Sequence, residues 1–204
     1  MRTYDRDMPE NAAVLPPLSG VRTRVPIATI VVLAAWAVCT TLYHLGNEGL
    51  FLAVRRDPEA LMNGQVWRVI SPVLVQPDSW FSVITLGVMA AVVGTFCERT
   101  FGTGRVVAFL AAGALAGHVI GEWWQPYSGG VSVAFCGPVG AVAAYVLMAR
   151  IRRHRTAAVI GLLGAVVLCV ITDIHGPAIL AGAVVGFLLC RNALQPEAAR
   201  TPSA

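Results

Sequence analysis

Six apolar runs, each close to the length needed to cross a hydrocarbon layer, govern what this chain can fold into. They cover residues 25–45, 80–97, 106–123, 131–149, 156–172 and 174–190, against the ~20 residues (roughly 17–25) of a spanning helix. Inside a bilayer every backbone N–H and C=O must be paired within the protein, which leaves helices or closed barrels. The runs lack the period-2 alternation of barrel strands, so helices are expected. The composition agrees: 56% of the 204 residues are hydrophobic, 13% are charged, and the mean hydropathy is +0.69, outside the range of a soluble domain. The expected fold class is therefore all-α: a polytopic six-helix membrane bundle over residues 25–190, with a tail at 1–24 and another at 191–204.

Charge placement supplies a topology. Arg22 and Arg24 precede the first run, Arg99 and Arg105 separate the second and third, and Arg150, Arg152, Arg153 and Arg155 separate the fourth and fifth. An arginine excess marks cytoplasmic loops, so both termini are expected in the cytoplasm, of a bacterial cell membrane. The polar first 24 residues lack the apolar core of a signal peptide. The long loop after the first run mixes apolar and charged residues and is expected to lie partly in the outer interface, with Trp67, Trp80, Trp123 and Trp124 in the aromatic belt. Basic residues at run ends, without interleaved aromatics, argue against a nucleic-acid partner. Five scattered cysteines without CxxC spacing indicate neither a disulfide framework nor a metal site, and no cofactor is expected. The expected partners are the lipid bilayer and other proteins' transmembrane segments. Glycine pairs at four-residue spacing (Gly113/Gly117, Gly117/Gly121, Gly182/Gly186) predict close helix packing.

Ionisable side chains in spanning helices are costly and become functional candidates. Here they are Glu98, His118, Asp173 and His175, joined by Cys136 as a potential thiolate. Glu98 and Arg99 at a helix end suit an ion pair or cap, and His118 and Asp173 near outer helix ends suit the interface. His175 and Cys136 start helices of the same direction and share a shallow depth. Pro138 is expected in a first helical turn. That would start the fourth helix near Gly137 and leave the preceding stretch as an irregular dip with Cys136 at its floor. Spacing alone favours reading Cys136 as a core filler over a nucleophile.

These residues resemble the rhomboid family of intramembrane serine proteases. Trp67 and Arg68 match its first-loop Trp-Arg pair. Gly94, Glu98, Arg99 and Gly102 match its Gly-x-x-x-Glu-Arg-x-x-Gly signature. Its sixth-helix histidine, followed by glycine three and seven residues later, is read on His175, Ala178 and Gly182. The catalytic Gly-x-Ser-Gly is read on Ala134, Phe135, Cys136 and Gly137, so cysteine occupies the nucleophile position. The His-x-x-x-Asn motif that helps stabilise an oxyanion is read on Ser82 and Leu86. The resemblance implies a six-helix bundle, open to the outside, that cleaves transmembrane segments with a serine and histidine dyad. With the nucleophile, oxyanion and flanking glycine positions all altered, the leading expectation is a proteolytically weak or inactive binder of transmembrane client segments. The alternative is an active intramembrane endopeptidase using Cys136 and His175.

Overall fold

Prolines, glycines and charges punctuate the chain, and helices begin and end at them. The computed structural model describes residues 25–191; Arg22, Arg24, the first tail and all but the first residue of the second lie outside these. Following Pro26, helix α1 runs Ile27–His44. The long loop then folds into two short helices: α2 (Glu48–Val54), capped by Asn47, and α3 (Pro58–Met62), capped by Asp57. In each, the cap side-chain oxygen accepts a first-turn N–H at 3.1 Å, the usual remedy for an unpaired helix start. Two 3-10 turns follow, Val66–Val69 and Ser71–Leu74. The remaining helices are α4 (Trp80–Phe101), α5 (Thr103–Trp124), α6 (Ser132–Met148), α7 (Arg152–Val170) and α8 (His175–Cys190).

The described residues form an all-α polytopic membrane protein, as the six apolar runs predicted. Four of its helices, α1, α4, α5 and α7, are long and apolar enough to cross a membrane, and α6 and α8 are shorter apolar helices of 17 and 16 residues. At ~1.5 Å per residue these two reach ~25 Å, less than the ~30 Å hydrocarbon core. Both are central. Ten residues of α6 are buried, whereas α7 buries only Ala158 and Ala165. Large exposed apolar side chains such as Phe81, Ile84 and Val92 on α4 and Ile160, Leu163 and Val167 on α7 face outward, as a lipid-facing surface requires.

The predicted small-residue contacts form around α6. Gly137 sits where α5 and α8 both meet that helix: a methyl group on it would overlap the Phe109 carbonyl of α5, and one on Gly182 of α8 would overlap the Gly137 carbonyl. Gly113 and Gly117 face Ala134 and Val133 of α6, and Gly186 faces Ala141. Helices without side chains at the crossing gain dispersion contacts that lipid cannot replace.

The Gly-x-x-x-Glu-Arg-x-x-Gly segment is a structural joint. Glu98 is fully buried and caps the start of α1: Oε1 accepts from Ala28 N (2.9 Å) and Thr103 Oγ1 (2.7 Å), and Oε2 from Thr29 N and Oγ1 (both 2.9 Å). One carboxylate thus ties α1, α4 and the start of α5. The cap expectation holds for Glu98, while Arg99 is exposed. Gly102 links α4 to α5 at φ +84°, a left-handed conformation that favours glycine, and Gly94 lets Thr29 and Phe135 approach α4. Glu98→Ala would leave buried N–H groups without an acceptor and is expected to lower stability by roughly 2–3 kcal/mol, measurable as a lower unfolding temperature in detergent micelles.

Candidate active site

The α5–α6 and α7–α8 connections meet at one end of the bundle. Asp173 precedes α8, and its Oδ1 accepts the His175 backbone N–H at 2.9 Å, an Asx-type turn that leads the chain into the helix. The same oxygen lies 2.6 Å from His175 Nδ1. Burial raises the Asp173 carboxyl, but the backbone N–H, the ring and the charge of His175 outweigh it and hold the group below the ordinary carboxylate range. An ionised carboxylate only accepts, so Nδ1 carries a proton, and in the neutral imidazole Nε2 then presents a lone pair. That lone pair faces Ser132: Oγ and Nε2 are 3.0 Å apart. His175 and Ser132 are each the first residue of one of the two shorter apolar helices.

This arrangement differs from the sequence expectation in two respects. The fourth spanning helix does not begin near Gly137 after an irregular dip. It begins at Ser132, and Pro138 lies in its interior. The Ala134 carbonyl, which a non-proline residue at 138 would have bonded, faces Gly113 of α5 instead, and spanning helices tolerate proline where a neighbour covers the freed group. Cys136 therefore stands one turn deeper than Ser132. It is half-buried, packs against Val133, Ile174 and Ala178, and has no hydrogen bond to His175, whose ring pairs with Ser132 and Asp173.

The long first loop supports the segment that leads into α6. Arg56 N donates to Ser128 O (2.9 Å), Tyr127 N to Arg56 O (3.1 Å), and Gly130 N to Pro72 O (2.8 Å), so the loop backbone braces the segment leading into Ser132. The buried Gln76 amide lies against Gly130 and donates to Asp78, and its backbone N–H reaches Thr40 Oγ1 on α1 at 3.1 Å. Arg68 is buried and closes the loop on itself, donating to the carbonyls of Leu52 (3.1 Å) and Arg55 (2.7 Å) and to Gln65 Oε1 (2.9 Å). Trp67 is half exposed, and its indole donates to Ala53 O at 3.3 Å.

Behind His175 lies a polar cluster. His118 was expected at the interface, yet it is fully buried on α5, with Nδ1 2.9 Å from Arg56 NH1. Arg56 is also buried and donates through Nε to Gln125 O at 2.8 Å. Burial lowers its guanidinium to about 10, opposed by the buried Glu122, so it remains a cation at neutral pH. The first loop is thus pinned into the bundle as well as resting at its rim.

The candidate oxyanion positions lie on α4. Ser82 is in its first turn, with its hydroxyl 3.3 Å from Ser79 Oγ. Leu86, half-buried one turn on, offers only carbon.

Sequence reasoning passed over Ser132, Arg56 and Gln76, and it assigned Asp173 to the interface instead of to His175. For Ser132 a signal existed. Moving the Gly-x-Ser reading back by four residues, one helical turn, places it on Gly130, Val131 and Ser132. Nothing local marked Arg56, which sits among arginines and acids that balance in a loop.

A comparison with curated proteins finds no match. The family model described as Rhomboid domain matches residues 63–195, well over half of the chain and inclusive of the Trp67–Arg68 pair, the Glu98–Arg99 joint, Ser132 and His175. The chain belongs to the rhomboid family.

Proposed function

We propose that this protein is an intramembrane serine endopeptidase with Ser132 as nucleophile and His175 as general base. The observation that carries this reading is the 3.0 Å contact between Ser132 Oγ and His175 Nε2, with the ring's other nitrogen held by Asp173. A nucleophile and a base within hydrogen-bond reach, the base oriented by a third group, is the arrangement that activates a hydroxyl. As Oγ bonds to the scissile carbonyl carbon, its proton passes to Nε2. When the C–N bond breaks, Nε2 returns that proton to the leaving amine. Water then attacks the acyl-enzyme with its proton taken by the same nitrogen, releasing the carboxyl fragment and restoring Ser132. Family membership supports transmembrane segments as substrates in general.

Developing negative charge on the carbonyl oxygen needs donors. The first N–H groups of a helix have no intrahelical partner, and Ser132 opens α6, so its own backbone N–H can serve. Leu86 contributes no donor, and one missing oxyanion donor costs roughly 100- to 1000-fold in kcat. A slow enzyme is expected. The same deficit favours the second reading, a member that holds transmembrane clients without cutting them.

In this reading the arginines at the α4–α5 and α6–α7 ends face the cytoplasm with both termini, and the site opens outward near Trp67 and Trp123, both exposed. The test is reconstitution in liposomes with labelled transmembrane substrates and a fluorophosphonate probe. Wild type is expected to cleave slowly and to label at Ser132, and His175→Ala to do neither. A wild type inert to both substrate and probe, with a substrate helix still crosslinking to it, decides for the client-holding reading.

A further inference from the structure

We infer that Asp173 is a positioning residue that turns the serine and histidine pair into a three-membered relay, an inference that rests on the Ser132/His175 reading above. Asp173 Oδ1 takes two hydrogen bonds from one residue: His175 Nδ1 at 2.6 Å and the His175 backbone N–H at 2.9 Å. The backbone bond sets the carboxylate and the ring on a common base, since both belong to the same tight turn. Leu168 O in turn receives the Asp173 N–H at 2.8 Å, and Gly176 N donates to Asp173 O at 3.2 Å, so the turn is secured on both sides. The ring can then neither rotate nor exchange tautomer without breaking its 2.6 Å contact.

The chemical consequence follows from the proton's route. When Nε2 accepts the proton of Ser132 Oγ, the ring becomes an imidazolium, and a carboxylate 2.6 Å from its far nitrogen stabilises that charge. Asp173 does not itself take the proton. Among the described residues, the other titratable groups around His175 are Cys136 of α6, packed against the preceding Ile174; Cys169 of α7, against the following Gly176; and His118 of α5, with Arg56 and then the buried Glu122 behind it. Of these, only His118 and Arg56 can bring a positive charge, and a positive charge opposes the imidazolium. Asp173, in contact with the ring, favours it.

A fully buried aspartate in such a relay is worth about 10⁴-fold in kcat. The side chains of Asp173 and His175 are 31% and 33% exposed, so solvent screens the pair and a loss of about 100-fold is expected.

The experiment uses the full chain in liposomes with a labelled transmembrane substrate. Asp173→Asn keeps an oxygen to accept both bonds and removes only the charge. It is expected to lower kcat by about 100-fold, leave KM within about twofold, slow fluorophosphonate labelling of Ser132, and move the acid limb of the kcat/KM profile to lower pH, because the imidazolium has lost its stabilising neighbour. Asp173→Glu is expected to restore part of the rate. An Asp173→Asn enzyme with wild-type kcat and an unmoved acid limb would overturn the inference, and so would a lowered kcat on an unmoved limb, which marks a merely structural residue.

A second measurement needs no turnover. In ¹⁵N-histidine spectra of the protein in micelles, with His175 assigned through His175→Ala, the ring is expected as the Nδ1–H tautomer in wild type and as a mixture in Asp173→Ala. The Nε2–H tautomer in wild type overturns the inference whatever the enzymology. A wild type inert to substrate and probe that still holds the Nδ1–H tautomer instead overturns the Ser132 nucleophile and leaves Asp173 as the ring's anchor.

Discussion

Ser132→Ala is expected to lower cleavage of a transmembrane substrate by at least ~1000-fold, with the bundle intact, since removing a nucleophile abolishes all catalysis beyond binding and oxyanion stabilisation. Cys136→Ala is expected to stay within a few-fold of wild type. The contrast is decisive because the two residues are one helical turn apart on α6, and each has a motif register in its favour. Ser132 Oγ lies 3.0 Å from His175 Nε2, while Cys136 packs among Val133, Ile174 and Ala178. A half-buried thiol packed among apolar side chains acts as a small apolar side chain itself, and its truncation costs little volume. The measurement is the initial rate of product formation on gels, with His175→Ala as the common zero. Activity lost in Cys136→Ala but kept in Ser132→Ala would transfer the nucleophile to cysteine. If wild type and all variants are equally silent while substrate helices still crosslink, the protein holds clients without cutting them.

The largest effect on stability is expected at the crossing of α6 and α8. Gly182→Val would drive a branched side chain into the Gly137 carbonyl, and Gly137 already abuts the Phe109 carbonyl of α5, so the strain cannot be passed to a flexible side chain. Overpacking usually costs ~1–3 kcal/mol and more where only backbone can yield, so a loss of about 3 kcal/mol or greater is predicted. Unfolding in micelles, followed by a thermal shift or by SDS titration, reads it directly. The control is Gly161→Ala or Gly164→Ala on α7, where an added methyl group meets nothing within 4 Å. These are expected to be neutral or to gain a few tenths of a kcal/mol from helix propensity. Equal damage at Gly161 and Gly182 would contradict the packing argument. Because α6 and α8 carry Ser132 and His175 at their first residues, Gly182→Val should also separate the pair and reduce probe labelling in whatever fraction stays folded.

What could be read from the chain were quantities fixed by local chemistry. Run lengths and the bilayer's refusal of unpaired backbone dictate helices, and the six runs correspond to α1, α4, α5, α6, α7 and α8. The glycine spacings marked close-packed faces of α5 and α8, with Gly113, Gly117, Gly182 and Gly186 against α6 and Gly121 against Arg56 and Ile174. His175 stood out because an ionisable group in an apolar run needs a reason; Glu98 was expected in an ion pair or a cap at its own helix end, and the end it caps is that of α1. Where the reading met proline, local preference misled it. Pro138 was expected to open a helix, yet the small face of α5 beside Ala134 lets α6 continue through it from Ser132.

The identity of the histidine's partner depended on that one helical turn. Cys136 and Ser132 lie four residues apart on α6, so helical periodicity places both near the same face, and along the chain only the Gly-x-Ser of Gly130, Val131 and Ser132 separates them. The choice is made by the α7–α8 turn, where Asp173 orients the ring, and by the packing of α8 on α6 through Gly137 and Gly182, which sets the depth at which Nε2 arrives. Arg56 shows the same dependence. A charge that balances its neighbours along the first loop becomes a buried cation against His118 only once α5 is placed beside it. Covalent neighbours dictate helices and their faces; contacts between residues 43 positions apart, as Ser132 and His175 are, exist only after the helices have packed.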